Sequence, residues 1–253
     1  MKKPHLKLRR IVFGLSLLTV LSVTIGGCLY YSTLRASALE NAHRQASEHL
    51  ETIADNINLY LSWSLKSVGA LAGLKELQQP LVSGDTDALQ ETNAILDHFR
   101  NTLKASVCYL MDPSGKTVAS SNRHTSTSFV GKNYGFRPYF QQAMRGAPAT
   151  YMALGVTSKK RGIYFSHPVY GEGHDGPLGV AVIKASVKPI EEELKKPHDG
   201  IVLITAPKGV VFASDHKEWL YHVLWKVSSD EISQIAKTRQ FGRGPWNWTG
   251  VKR

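Results

Sequence analysis

The chain has 253 residues, 42% of them hydrophobic, and 31 basic against 20 acidic side chains for a net charge of +11. That is enough apolar material for one large domain or two small ones, and it excludes a disordered chain. Lys2, Lys3, Lys7, Arg9 and Arg10 crowd the N-terminus, so about half the excess is a local cluster, and the dispersed remainder excludes a nucleic-acid-binding stripe.

Residues 1–10 read as a basic cytoplasmic tail. Residues 11–31, IVFGLSLLTVLSVTIGGCLYY, carry no charge; at about 1.5 Å per residue they can cross a hydrocarbon layer of roughly 30 Å. The cluster precedes this span and only Arg35 follows closely. The positive-inside bias therefore predicts a single-pass protein of a bacterial inner membrane, with everything after Tyr31 in the periplasm. A cleaved signal peptide, or a lipid anchor at Cys28 within Ile25-Gly26-Gly27-Cys28, is the competing reading. The apolar run continues through Leu29, Tyr30 and Tyr31, which favours an uncleaved span with an aromatic anchor at the interface. Cys28 in the span and Cys108 in a strand-like run predict no internal disulfide.

From Leu34 to about Leu77 there is no proline, and Leu39, Ala46, Ile53 and Tyr60 recur every seven residues, as do Leu50, Ile57, Ser64 and Leu71. This stripe predicts a long amphipathic signalling helix over 32–79, with a twin in a homodimer as its expected partner. A second helix starts near Asp85 and carries Leu89, Leu96, Phe99 and Leu103.

The period then changes to alternation, and an internal repeat appears. YLMDPSGKTVAS (109–120) and LITAPKGVVFAS (203–214) align at an offset of 94, matching Pro113 with Pro207, Gly115 with Gly209, Ala119 with Ala213 and Ser120 with Ser214. Each copy predicts a β-hairpin. Between them come a short helix over 136–145 with Pro138 in its first turn, strands over 150–156, 162–169 and 178–187, and a short helix over 188–195. A last helix is predicted over 228–239. The expected fold class is α+β: a transmembrane helix, a long amphipathic helix, then two tandem modules, a larger one over 80–196 and a smaller one over 197–241, with a tail over 242–253. Trp246-Asn247-Trp248 in that tail has two candidate roles, a membrane-surface contact or the start of further structure.

Several familiar motifs carry no chemistry here. Gly171-Glu172-Gly173-His174-Asp175-Gly176 matches GxGxxG, but it joins two predicted strands where a dinucleotide site needs a strand and a helix. The kinase HRD and DFG elements are absent. The ten histidines show no zinc-ligand spacing. No metal, cofactor or catalytic residue is expected.

The stretch YGFRPYF (134–140) sets Arg137 among four aromatic rings. Alternation in the 178–187 strand puts Lys184 on the face of Val180, Val182 and Ser186. Thr157 and Ser158 in the preceding turn and Tyr164 in the neighbouring strand add hydroxyl donors. From Phe136 to Ser186 the only acidic residues are Glu172 and Asp175, both in the hairpin tip. Five donors, Arg137, Thr157, Ser158, Tyr164 and Lys184, thus lack a local counter-charge, and a carboxylate ligand would supply it.

The runs YGFRPYFQQAMRG, YMALGVTSKKRGIYFSHPV and LGVAVIKASVKPIEE resemble the periplasmic sensor region of DctB-type C4-dicarboxylate-sensing histidine kinases. That resemblance implies a double Cache fold and a membrane-distal module binding succinate, malate or fumarate through positions matching Arg137, Thr157, Ser158, Tyr164 and Lys184. Two departures stand out. Gly155-Val156-Thr157-Ser158 replaces a Gly-Thr-Thr-Ser turn, and the chain stops at Arg253 without a second span or kinase boxes. The expectation is a truncated or split product, or a sensor working through a separate kinase or transporter partner. Competing expectations are a lipid-anchored solute-capturing accessory protein, and the input domain of a chemoreceptor or diguanylate cyclase.

Overall fold

The structure, a computed structural model, describes residues 4–197, 200–242 and 244–251. Lys2 and Lys3 of the predicted tail, and residues 252–253, lie outside the described residues. The chain divides into two units, residues 1–52 and 53–253. Helix α1 (Pro4–Ala72) contributes to both.

In the first unit α1 keeps its apolar side chains exposed, Phe13 at 72% and Leu18 at 66%, and its most apolar window has a mean hydropathy of 2.1. By length and composition it can cross a membrane. The hydroxyls of Thr19 and Thr24 donate back to the carbonyls of Leu15 and Val20, so these two polar groups are satisfied within the helix. The predicted span and signalling helix form one continuous helix, with Cys28 inside it.

In the second unit the predicted stripe is used. Ile53 and Leu71 are buried, with Ile57 and Tyr60 packed against the same core. The helix ends at Ala72, earlier than expected, because Leu74 turns extended and starts a separate helix, α2 (Lys75–Val82). Helix α3 (Thr86–Thr102) is capped by the Asp85 carboxylate, which accepts from the Asp87 amide.

Strands β1 (Val107–Met111), β2 (Thr117–Ser120), β3 (Ala149–Leu154), β4 (Arg161–Val169) and β5 (Gly179–Ala185) form an antiparallel sheet in the order β2-β1-β5-β4-β3. Alternation splits its residues between two cores. Cys108, Leu110, Phe165, Ala181 and Ile183 face Val68, Leu71, Leu77 and Leu96 of the helices. Tyr109, Tyr164, Val180 and Val182 face the opposite way, toward Phe129, Tyr134 and the residues of α4 (Pro138–Met144). The Gly171–Gly176 stretch joins β4 to β5, as the sequence predicts.

After α5 (Lys188–Leu194) the second hairpin, β6 (Leu203–Thr205) with β7 (Val211–Ser214), repeats the first in register and irregularity. Tyr109 pairs with Ser120 and Leu203 with Ser214; the register shifts after Leu110 and after Ile204. The likeness extends further than the sequence showed. Residues 131–134 run beside β2 as residues 221–224 run beside β7, bonded through the amides of Tyr134 and Leu224 to the carbonyls of Gly115 and Gly209. Each third segment is followed by a helix, α4 in one case and α6 (Ser229–Lys237) in the other. The Val223 amide also donates to the Asn247 carbonyl, and Trp246 is buried in the core. The tryptophan pair is therefore packing material within this unit, and the membrane-surface role expected for it does not fit.

Arg161 on β4 fastens the second hairpin to the first sheet. Its guanidinium donates to the Phe212 carbonyl at 2.7 Å and to Glu191 at 2.5 Å, and lies over the Phe212 ring. Replacing it strands a half-buried carboxylate and a buried carbonyl. Arg161→Leu should cost about 2 to 3 kcal/mol of stability in urea denaturation. Lys188→Ala, which removes only an exposed pair with Glu192, should change it by less than about 0.5 kcal/mol.

Candidate functional site

The second face of the sheet, under α4, carries the predicted residues. The turn glycine of the first hairpin prepares the place. Gly115 has φ +84, and any Cβ there would collide with the backbone of Gly135. This close approach seats Tyr134 and Gly135 against the hairpin, and Asn133 locks them, its side chain donating to the Ser114 carbonyl and accepting from the Gly135 amide. Arg137 then becomes the N-cap residue of α4, with Pro138 at the first helical position. Its backbone is extended there, which frees its side chain to turn inward.

Arg137 is 2% exposed. One guanidinium nitrogen donates to the Leu154 carbonyl at 3.0 Å and the other to the Arg239 carbonyl at 3.2 Å. Lys184, on the central strand β5, is also 2% exposed. Its ammonium donates to Ser158 Oγ at 2.6 Å and to the Lys160 carbonyl at 3.2 Å, and lies over the Tyr164 and Phe129 rings. Gly162 on β4 leaves room for the lysine stem, since a Cβ there would overlap Lys184 Cε and Cγ. Neither cation snorkels to solvent, and among the described residues neither makes an ion pair.

An aromatic wall surrounds them. The Tyr139 ring stacks on Tyr164 with centroids 5.2 Å apart, Tyr109 and Tyr139 share a hydrogen bond of 2.7 Å, and Tyr134 meets Thr157 Oγ1 at 2.8 Å. Burial raises the pKa of Tyr134, Tyr139 and Tyr164, so these phenols are neutral and able to donate. The Tyr151 hydroxyl is buried with no well-aligned hydrogen bond, and the nearby Arg137 guanidinium opposes, in part, the rise that burial imposes on it. Desolvation lowers Lys184 to a pKa of about 8, with the charges of Arg137 and Lys160 adding to the effect.

These groups line a narrow cavity of about 10 Å³, formed by Arg137, Thr157, Tyr164, Val156, Gly155 and the rings of Tyr109, Phe129, Tyr134 and Tyr139. Of the five predicted residues, Arg137, Thr157 and Tyr164 line it. Ser158 and Lys184 stand behind Gly155, whose missing Cβ leaves the lysine ammonium and the Tyr164 hydroxyl each 3.0 Å from where that atom would be. The position where the sequence departs from a hydroxyl-rich turn, Val156, is on the lining itself. Tyr109, Phe129, Tyr151 and Gly162 escaped the sequence reading; the alternation of β1, which puts Tyr109 on the face of Val107 and Met111, was the available signal. A wider crevice of about 540 Å³ between α2 and the 171–178 turn is lined by exposed Lys75 and Glu172, which pair at 3.8 Å. It holds no buried charge and carries no comparable chemistry. Cys108 is buried, its thiol pushed up to about 12 by desolvation, so it is a core residue and no nucleophile.

An antiparallel sheet with helices on one face and a closed, cation-bearing pocket under a short helix on the other, attached to an apolar helix, defines a Cache-like sensory module. No family model matches the chain. It is 34% identical over 178 residues to the C4-dicarboxylate transport sensor protein DctB of Rhizobium meliloti, covering 69% of this chain and 28% of that protein. To the Pseudomonas aeruginosa protein of the same name it is 36% identical over 166 residues, covering 65% and 27%. The chain thus spans little more than a quarter of these relatives. Among solved structures, the sensor domain of the Vibrio cholerae histidine kinase DctB matches with a TM-score of 0.78 at 30% identity, over 85% of this chain and 82% of that one. The chain belongs to the DctB sensor-domain family. A chemoreceptor ligand-binding domain, Tlp3 of Campylobacter jejuni in complex with 4-methylisoleucine, shares the fold at a TM-score of 0.59 and 19% identity, over 72% of each chain.

Keeping Lys184 charged in this pocket costs about 3 kcal/mol, from the fall of its pKa from 10.5 to about 8. Between those values the unfolded chain binds the extra proton, so stability should rise with pH. Denaturant midpoints should increase from pH 8 to 9.5 in the protein without added ligand. Lys184→Met should abolish that rise; a wild-type profile in this variant would show that Lys184 is not the group responsible.

Proposed function

We propose that the chain is the membrane-anchored, extracytoplasmic sensor region of a C4-dicarboxylate-responsive signalling protein, and that Arg137, Lys184, Tyr164, Thr157 and Ser158 hold the ligand. The observation that carries this reading is two buried cations at one pocket, Arg137 on its lining and Lys184 behind Gly155, with no carboxylate of the described residues paired with either. A guanidinium and an ammonium near enough for the first to lower the pKa of the second suit the two ends of a short diacid, the first bidentate and the second as a point charge. Neutral tyrosine and threonine hydroxyls complete the donor set. The names of the relatives, C4-dicarboxylate transport sensors, support the same ligand class.

In this reading α1 crosses a bacterial inner membrane once, its basic start in the cytoplasm and the sensor in the periplasm. The 80–196 segment is a membrane-distal Cache module and 197–241 begins a second one, supported by the matched register of the two hairpins. The second has Leu203 and Leu224 where the first has Tyr109 and Tyr134, so its hairpin face offers no hydroxyl donors of this kind. Leu39 and Leu50, exposed on the continuation of the α1 stripe, are the proposed contact with a twin helix in a homodimer. A histidine kinase module is the proposed output of the parent protein.

Isothermal titration of the full chain in lipid nanodiscs with succinate, malate and fumarate tests the site. Binding of at least one is expected, and silence with all three would overturn the assignment. Arg137→Ala should weaken binding by about 2 to 5 kcal/mol; near-wild-type affinity would remove Arg137 from the site.

A bound dianion favours the charged lysine, so affinity should fall as the pH rises above about 8, by up to about tenfold per pH unit. In Lys184→Gln the affinity should be lower and flat from pH 7 to 9.5. A pH slope that survives in that variant would place the titrating group elsewhere.

A further inference from the structure

The residues that follow α6 do not simply leave the molecule; they run along the open edge of the ligand-site sheet. The Leu154 amide of edge strand β3 donates to the Gln240 carbonyl at 2.8 Å, and Gln240 Nε2 donates to the Met152 carbonyl at 2.7 Å. Phe241 is buried in the main core against Phe212. Arg239 takes a left-handed backbone, φ +50, which is uncommon for a residue with a Cβ. That turn aims its carbonyl at Arg137. Its own guanidinium lies over the Phe136 ring, which Arg137 also contacts. A short strap from the second hairpin's half of the chain is therefore pinned to the buried arginine of the first.

We infer that the Arg239 main-chain carbonyl positions Arg137 for its ligand, so that docking of the 239–242 strap and filling of the site form one coupled equilibrium. The ligand half of this statement rests on the proposed role of Arg137; the strap half rests on the bonds alone. A guanidinium has five N–H donors. Two of Arg137's are committed to the Leu154 and Arg239 carbonyls, one on each terminal nitrogen. Three remain, one of them near the Tyr151 hydroxyl, which leaves two for a carboxylate. The strap thus holds the arginine without competing for the ligand, which fixes the sign of the coupling as positive. A site whose anchor is already oriented binds better. By linkage, a ligand on Arg137 must tighten the strap by the same factor. The strained turn at Arg239 persists because the sheet edge, the Phe241 contact and the arginine over-determine it.

The device also gives the second half of the chain a stake in the first site. Its consequence is that a residue whose side chain never meets the ligand controls affinity through its backbone. Arg239→Pro cannot adopt a positive φ, whereas Arg239→Gly adopts it freely. The pair separates the carbonyl's position from the loss of the side chain.

The test is hydrogen exchange on the full chain in nanodiscs, read at the Leu154 amide and over 240–242, with succinate as the probe. Without ligand, Arg137→Gln should speed exchange there by roughly fivefold or more, while amides of β1 and β5 stay unchanged. Saturating succinate should slow the same amides in the wild type. Arg239→Pro should weaken succinate binding by roughly fivefold or more, and Arg239→Gly should keep it within about twofold. Unchanged exchange at Leu154 in unliganded Arg137→Gln overturns the inference, as does equal succinate affinity in the proline and glycine variants. If no acid binds, accelerated exchange in Arg137→Gln still upholds the pin, and the failure belongs to the proposed ligand alone.

Discussion

The structure is organised around an unbalanced charge. Arg137 and Lys184 are buried to the same extent, and the described residues meet them with carbonyls, hydroxyls and ring faces, never with a carboxylate. Neutral acceptors satisfy the hydrogen-bonding needs of a cation but leave its charge uncompensated. The lowered pKa of Lys184 is the measure of that deficit, with burial first among its causes and Arg137 second. A chain selected only for stability would have placed an acid here or removed the lysine. The cost is therefore informative, and the proposed diacid would offset it by bringing a negative group from outside.

Holding two such cations in place requires a stiff frame, and the sequence supplies it with glycines at close approaches. Gly115 lets the hairpin turn touch Gly135, which sets the start of α4 and hence Arg137. Gly162 admits the lysine stem, and Gly155 admits the lysine head toward the cavity. Each is a place where a methyl group would displace a functional atom. The central position of β5, hydrogen-bonded on both sides to β1 and β4, denies Lys184 an escape to solvent. Burial of the charge follows from topology, since an edge strand could not have enforced it.

Much of this was legible in the sequence because it is local or periodic. Strand alternation put Lys184 on the face of Val180 and Val182, and the lack of acids between Phe136 and Ser186 exposed the charge deficit. The offset of 94 found both hairpins, since turn residues and register are encoded within a dozen positions. What stayed hidden is what distant segments bring together. Tyr109 reaches Lys184's face only because β1 pairs with β5, and Tyr139 stacks on Tyr164 only because α4 folds back over β4. The break at Leu74 has no proline to announce it. The strap was least legible of all, because its partners are main-chain groups: the carbonyls of Met152, Leu154 and Arg239 and the amide of Leu154 leave no trace in residue identity.

Charge count also bears on selectivity. Under the proposed reading, a monocarboxylate would neutralise one cation and leave the other buried beside a new neighbour, so half of the desolvation cost would persist. A diacid of the right length cancels both, and each carboxylate then lowers the repulsion that the other cation feels. Length is constrained in turn, because the cavity is small and its wall of Tyr109, Tyr139 and Tyr164 is tied together by stacking and a hydrogen bond. Any diacid would have to widen this cavity, and a longer one would have to part those rings further. Discrimination among diacids then falls to the turn, where Val156 presents methyl groups to the lining and Thr157 is already engaged by Tyr134. A hydroxyl on the ligand that pointed at Val156 would lose water without gaining a partner. The same two buried cations that define the class of ligand thus leave its finer identity to a single apolar side chain.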